Sequence, residues 1–419
     1  MARQLLLVAV LALVMFAALG YGALHYMTGM PGKSYSGPLP PLTADERALA
    51  PLLKRHIEAI ASREHNVAHH DELEKSARYI EAALETYGYA VNRQSFDADD
   101  YVSDSKSVRN IEIVIEPRDP NPAAETLVVG AHYDSARGAP GANDNGSGTA
   151  AVIELARLLS DLKGKAARRI RLVLFVNEEP PYFRTQEMGS LQYATALAAR
   201  KEQVAGMYSL ETLGYYASEP GSQRYPFPFG LIFPDRGDFL AFVGMLDARP
   251  LLRASIASFR SHTKFPTIGG VAPAFIPGID FSDHWAFAQH GFPAIMLTDT
   301  APYRYPPLSH VQGHARQGRH GEARPRREGH RAHDPRRGAL GTYPAGHAAH
   351  FVHGLKASSC PAPQPRAWQH AGCPLGSCAR DPATHSANSS REFFPGQRRK
   401  WHAAPKTDPR PGCPLFWHT

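Results

Sequence analysis

Residues 126–135 read TLVVGAHYDS, and residues 170–179 read IRLVLFVNEE. Both stretches begin with a nearly continuous apolar run and end in polar and acidic side chains. Apolar residues at successive positions are typical of strands buried on both faces, as in the parallel sheets of α/β proteins. Such sheets bind ligands beyond the carboxyl ends of their strands. We therefore expect His132 to lie close to the adjacent pair Glu178 and Glu179.

The flanking sequence repeats the alternation of strand and helix. Further apolar runs at 111–115 and 204–210 are separated by helical patterns at 149–162 and 190–201. This order predicts a three-layer α/β domain, with a central mixed, largely parallel sheet and helices on both faces.

Two helices are predicted before the first strand. Thr43 is a typical N-cap with Glu46 at capping-box spacing, and apolar residues then recur at helical intervals from 49 to 60. A second helix is predicted from about 71 to 87. The folded domain is expected to span residues 43–306.

The N-terminus is predicted to be a membrane segment. After Arg3, residues 5–24 are apolar except for glycines and one tyrosine, which is long enough to cross a hydrocarbon core of about 30 Å as a helix. We predict that residues 1–30 are an uncleaved single-pass anchor, with Arg3 cytoplasmic and the domain outside the cytoplasm. A cleaved signal peptide is the alternative, and the protein would then be secreted or periplasmic. Residues 31–42, rich in Pro and Gly, are predicted to be the linker to the domain.

The C-terminal part of the sequence has a different composition. Residues 307–419 hold 17 Lys and Arg against 6 Asp and Glu, and Leu, Ile, Val and Phe number only 11 of these 113 residues. That apolar fraction is too low to bury a core, so we expect a disordered basic tail. Its basic runs lack interleaved aromatic residues, and we predict no nucleic-acid partner. Its four cysteines fit neither a zinc pattern nor a disulfide framework.

Four short segments carry candidate metal ligands. They contain His132, Asp144 within NDNGSG, the pair Glu178 and Glu179, and Glu211 within SLE. Taken singly, each has an ordinary structural explanation, since NDNG forms turns and Glu pairs at strand ends are usually solvated. Taken together and in this order, imidazole and carboxylate groups at successive strand ends indicate a metal site, because metal ions in proteins bind both ligand types.

These segments resemble those of the family twenty-eight metallopeptidases, which are zinc-dependent exopeptidases that include aminopeptidase Y and bacterial leucyl aminopeptidases. The resemblance covers residues 49–306 and includes MGS at 188–190, LGYY at 213–216 and SDH at 282–284. It implies peptide substrates and two zinc ions. It says nothing about oligomeric state or about the preferred N-terminal residue.

The resemblance also implies a role for each residue. Asp144 would bridge two zinc ions; His132 and Glu211 would complete the ligands of one ion, and Glu179 with a late histidine those of the other. Glu211 stands where the family commonly has aspartate, and we interpret this as a tolerated variation.

Two further roles follow from the same resemblance. Glu178 would be the general base, and we expect its side chain to point away from that of Glu179, as successive residues at a strand end do. Asp134 resembles the carboxylate that fixes the tautomer of His132. His284 is not expected to bind metal, since its matching position in the family is not a ligand.

The late histidine is missing from its expected place. After Pro306, members of the family continue approximately His-Tyr-His-Thr and then Asp-Thr-Pro-Asp-Lys, whereas this chain continues PLSHVQGHARQ. If the codons are read one nucleotide later, the genetic code allows or requires His-Tyr-His-Thr, and then Asp-Thr-Pro-Asp. We predict a one-nucleotide frameshift after Pro306, which leaves Ser309 at the ligand position and His310 one residue away.

Three functions remain open on these grounds. The first is a membrane-anchored zinc aminopeptidase, impaired here by loss of one histidine and expected to hold one zinc ion instead of two. A single-zinc enzyme like glutaminyl cyclase has the same predicted fold. A non-catalytic, membrane-anchored binding protein is the third, and it would be favoured if the purified chain held no stoichiometric metal.

Overall fold

The computed structural model describes residues 1–99, 104–119 and 125–304. These residues all lie in one compact unit, Met1–Gln364, whereas the second unit, Pro365–Thr419, lies outside the described part. The predictions of a disordered tail and of a frameshift after Pro306 also fall outside the described residues.

An eight-stranded mixed sheet forms the centre of the domain, in the order β1-β2-β4-β3-β5-β8-β6-β7. Strands β3, β4, β5 and β8 are mutually parallel, and β6 pairs parallel to β7 but antiparallel to β8. The predicted α/β architecture is confirmed. The strands are β1 (Asn92–Ala98), β2 (Lys106–Ile115), β3 (Thr126–His132), β4 (Arg169–Phe175), β5 (Val204–Glu211), β6 (Leu240–Met245), β7 (Thr267–Ala272) and β8 (Ala294–Thr298).

Helices cover both faces of the sheet. On one face, α4 packs on β3, β4 and β5, and α6 packs on β6 and β7; on the other, α5 packs on β2 and α7 on β5 and β8. The helices are α1 (Ala2–Thr28), α2 (Ala44–Ile60), α3 (His70–Thr86), α4 (Gly146–Leu158), α5 (Gly189–Ala199), α6 (Arg249–His262), α7 (His284–Ala288) and α8 (Ala301–Arg304).

The cores on the two faces differ in size. The larger core joins α2, α3, α4 and α6 to one face, and the smaller core lies on the other face around Phe175, Tyr193 and Phe287. The predicted start of α2 agrees with the structure, because Thr43 and Glu46 form both bonds of a capping box.

The N-terminal helix α1 projects from the domain and contains no buried residue. With 27 residues and a mean hydropathy of 2.5, α1 is long and apolar enough to cross a membrane. A signal sequence would meet the same two criteria. Part of the predicted linker is packed on the domain, because Arg260 donates to the carbonyls of Pro31 and Gly32, and the Ser34 hydroxyl accepts from the backbone of Thr267.

Candidate functional site

Three adjacent parallel strands bring the predicted residues together. His132 is the last residue of β3 and Glu211 the last of β5, while Glu178 and Glu179 follow the end of β4. Asp144 lies in the loop that leads into α4. The carboxyl ends of parallel strands meet at one edge of a sheet, so side chains far apart in sequence become neighbours.

The His132 imidazole is the centre of the cluster. Its Nε2 atom is 3.3 Å from a carboxylate oxygen of Asp144, 3.5 Å from one of Glu211 and 3.7 Å from one of Glu178. The ring is entirely buried, and Nε2 makes no hydrogen bond. A buried imidazole nitrogen surrounded by carboxylates is a typical metal-ligand arrangement.

Asp134 lies behind the cluster and holds two of its parts. One carboxylate oxygen accepts a hydrogen bond from the backbone of Glu178 (3.1 Å), and the other accepts from the backbone of Glu179 (3.2 Å). The first oxygen is also 3.4 Å from Nδ1 of His132. The side chain is buried. Asp134 therefore positions the acidic pair as well as the imidazole, and only the second of these roles was expected from the sequence.

Two residues for which no role was expected position Glu211. Ser282 donates from its hydroxyl to a Glu211 carboxylate oxygen at 2.8 Å. The side-chain amide of Asn145 donates to the carbonyl of Leu210 (2.8 Å), and its oxygen accepts from the backbone of Thr212 (3.1 Å). Both residues lie in segments that carry the family resemblance, NDNGSG and SDH, but the motifs alone do not show what these side chains contact.

Burial and mutual repulsion perturb the pKa values of the cluster. Burial lowers the pKa of His132, but the negative charges of Glu211 and Glu178 outweigh it and hold that pKa well above its usual value. Burial raises the pKa of Glu179, and the charge of Asp144 raises it further. Burial and Asp144 likewise raise the pKa of Glu211 to about 7. A divalent cation relieves such repulsion, because it compensates several carboxylates at once.

The donor set fits divalent metal ions. Among the described residues, two groups place one ligand atom each within 4.8 Å of one another, namely His132 with Asp144 and Glu211, and His132 with Glu178 and Glu179. One Glu179 carboxylate oxygen is buried without a hydrogen-bond partner. The first group is the set implied for one zinc ion by the resemblance.

The expectation that Glu178 and Glu179 point apart is wrong. Both offer an oxygen to the same group, so their backbone positions alone do not separate a base from a ligand. The reason is that the alternation of a strand no longer holds there: β4 ends at Phe175, and Asn177 has a φ of 61°, which turns the chain.

Other histidines lie outside these groups. His284 is buried, and its Nε2 pairs with the carbonyl oxygen of Ile279 at 2.8 Å. Burial lowers the pKa of His284 to about 4, so the ring is neutral. His262 and His290 pair with residues of their own surroundings, Ser258 and Thr195. Ser309 and His310, on which the missing ligand depends, lie outside the described residues.

An apolar cavity of about 330 Å³ opens beside the cluster. Asp144, Glu178, Glu179 and Glu211 form its acidic end. Residues of β6, β7 and β8, among them Val243, Ile268 and Met296, form its floor. Aromatic side chains from three loops complete the wall, namely Phe183, Tyr225, Phe229, Phe233 and Phe281.

The chain is similar to several known proteins. The model of peptidase family M28 matches residues 110–313. The uncharacterized protein YfbL of Escherichia coli K12 is 41% identical over 243 residues, which are 56% of this chain and 71% of YfbL. Leucine aminopeptidase 1 of Arthroderma otae is 29% identical, over 47% of this chain and 53% of the relative. The chain thus spans about half the length of that aminopeptidase.

A solved structure supports the fold. The aminopeptidase LapA of Legionella pneumophila superimposes with a TM-score of 0.50 at 15% identity, over 78% of this chain and 77% of LapA. At that level of identity the similarity establishes a shared α/β architecture only.

Proposed function

This chain belongs to peptidase family M28, and we propose on that basis that it is a membrane-anchored aminopeptidase with a site for two zinc ions. The observation that carries the proposal is the environment of the His132 Nε2 atom. This atom is buried and makes no hydrogen bond, and carboxylates from three different segments converge towards it. His132, Asp144 and Glu211 would hold one ion, and Asp144 with Glu179 would contribute to the other. The late histidine would complete the second set.

Bound zinc ions would supply Lewis acidity towards the peptide carbonyl and would make water acidic enough to lose a proton near neutral pH. The protein then supplies the proton transfer. Glu178 lines the cavity, and burial raises the pKa of its carboxyl group. We assign it to take the proton from water and to deliver it to the leaving amine.

The negative charge of the site favours binding of the N-terminus of a peptide. Five carboxylates surround the single imidazole of the site: Asp134, Asp144, Glu178, Glu179 and Glu211. Two divalent cations would compensate most of this charge and leave an excess that attracts the positive α-amino group of a peptide. The cavity beside the carboxylates is lined by aromatic side chains and is suited to an apolar first residue.

The test is hydrolysis of aminoacyl anilides by the full chain and by a chain in which His-Tyr-His-Thr follows Pro306. Turnover that is abolished by a chelator and restored by zinc supports the proposal. Cyclisation of N-terminal glutaminyl peptides without anilide hydrolysis would instead indicate an enzyme like glutaminyl cyclase. If neither chain retains zinc after purification, the protein is a non-catalytic binding protein and the proposal is wrong.

A further inference from the structure

The end of α1 is fixed against the domain by arginines of α6. Arg249 donates to the carbonyl of Tyr26 at 2.8 Å, and its guanidinium lies 4.2 Å from the centre of the Tyr26 ring. Arg253 donates to the carbonyl of Gly29, one turn further along α6. Hydrogen bonds from charged donors are stronger than those between neutral groups. The domain therefore has a defined position relative to the last turn of α1.

An exposed apolar turn lies in the loop between β5 and β6. We define the apolar turn as residues 226–233, which four backbone hydrogen bonds close into short helical turns. Within it, Phe227 is 84% exposed, Leu231 78% and Ile232 43%. Outside residues 1–28, the other large apolar side chains that are exposed in the described part of the chain are Leu39, Leu246 and Phe275. Three such side chains in one turn form an exposed apolar patch, unlike single apolar residues scattered over a surface.

The apolar turn and the end of α1 meet at Gly270 of β7. A methyl group at Gly270 would lie 3.7 Å from the carbonyl oxygen of Met27 and 3.7 Å from Cζ of Phe233. Phe233 in turn is bonded through its backbone to Phe229 at 3.0 Å. The turn is therefore next to Met27.

The depth of Met27 follows from helix geometry. The apolar run of α1 ends at Leu24, and three residues of helix rise about 4.5 Å, which places Met27 within the headgroup layer. That layer is about 5–7 Å thick on each side of the hydrocarbon core. Tyr26 is placed at the same level, where aromatic side chains are enriched.

We propose that the apolar turn inserts Phe227 and Leu231 into the surface of the bilayer that α1 spans, and so holds the mouth of the active-site cavity at the membrane. Phe229 and Phe233 of the same turn line the cavity, so the membrane contact and the cavity share one wall. The inference rests on the anchoring part of the proposed function. Its substrates would be peptides whose N-termini lie at the bilayer surface.

The experiment uses the full chain reconstituted in phosphatidylcholine nanodiscs, with and without bromine on the acyl chains. Single variants Phe227→Trp, Leu231→Trp, Phe16→Trp and Ser95→Trp are compared, and the emission of the unsubstituted chain is subtracted. Phe16 lies within the apolar run of α1 and is 68% exposed. Ser95 is exposed on β1, at the opposite edge of the eight-stranded sheet from β7, about 30 Å away.

Brominated lipid should quench the tryptophan emission of Phe16→Trp strongly. It should quench the emission of Phe227→Trp and Leu231→Trp roughly half as much, because the headgroup layer lies farther from the bilayer centre than the middle of α1 does. Ser95→Trp should not be quenched. Quenching at Phe16→Trp with none at the two turn variants overturns the inference and leaves the anchor intact. A blue shift at the turn without quenching also overturns it, since protein then covers the turn. No quenching at Phe16→Trp contradicts the anchor and the inference with it. Peptidase activity does not enter the readout.

Discussion

Asp134 links the two halves of the candidate site, although it is outside both ligand groups. Its two carboxylate oxygens accept from the backbones of Glu178 and Glu179, and one of them also faces Nδ1 of His132. Burial raises its pKa, but the bond and charge of His132 prevail, so that the pKa stays below the usual value and the group remains ionised. A single side chain thus holds the proposed general base, Glu178, and two proposed ligands, His132 and Glu179, in place.

Asp134→Asn should therefore weaken metal binding without unfolding the domain. Asparagine has the same shape, but its amide nitrogen cannot accept the backbone hydrogen bond of Glu178 or Glu179. Loss of such an outer contact typically costs about 10–100-fold in metal affinity. Zinc titration against a competing chelator measures the change, with Glu154→Gln, a buried carboxylate variant distant from the site, as the control. Unchanged zinc affinity would contradict the role assigned to Asp134.

The variants Glu178→Gln and Asp144→Asn should distinguish the general base from a metal ligand. The geometry of the pair Glu178 and Glu179 does not make this distinction. In a chain with the histidine restored, Glu178→Gln should keep its zinc and lose about two to four orders of magnitude in rate, the usual contribution of a general base. Asp144→Asn should release metal, because this carboxylate would contact both ions. If Glu178→Gln loses zinc in parallel with activity, Glu178 is a ligand and not the base.

At the scale of elements, apolar runs predicted the strands that carry the site. The ends of β3, β4 and β5 agree with their predicted positions to within a few residues, because these central strands are buried and their side chains are apolar throughout. Strands β1, β6, β7 and β8 were not predicted. Strand β1 is a largely exposed edge strand, so it contains no continuous apolar run. Strand β7 reads TIGGVA, and its two glycines interrupt the apolar run by which the predicted strands were recognised.

Thr43→Ala tests the element whose start was predicted in detail. The Thr43 hydroxyl accepts from the backbone of Glu46 at 3.2 Å, and Glu46 accepts from the backbone of Thr43 at 2.7 Å. Removing the cap should lower the free energy of unfolding by about 0.5–2 kcal/mol. Denaturant unfolding measures this, with the exposed Thr86→Ala in α3 as the matched control. Equal midpoints for the two variants would show that the cap does not contribute.

At the scale of the whole molecule, composition divides the chain near Pro306. Limited proteolysis should cut between 307 and 419 before it cuts between 49 and 306, because the first of these stretches is poor in apolar residues. Mass spectrometry of the fragments identifies the cuts. A resistant fragment that retains Cys360 to Cys413 would show that this part of the chain folds.

The candidate site was predictable only where its residues belong to motifs at strand ends. The ligand candidates followed from such motifs, but the contacts of Asn145 and Ser282 with the end of β5 depend on the pairing of distant segments. The proposed membrane-facing position of Leu231 likewise depends on how the loop folds against α1, and the sequence of the loop carries no signal for it.

Zinc content measured together with activity tests the central claim most directly. The unaltered chain should hold about one zinc ion tightly and cleave aminoacyl anilides poorly, since its second ion has only two of three protein ligands. A chain in which His-Tyr-His-Thr follows Pro306 should hold two ions and gain activity in the same preparation. If both chains bind two ions and cleave equally fast, another group replaces the histidine, and the proposed two-zinc ligand set is wrong.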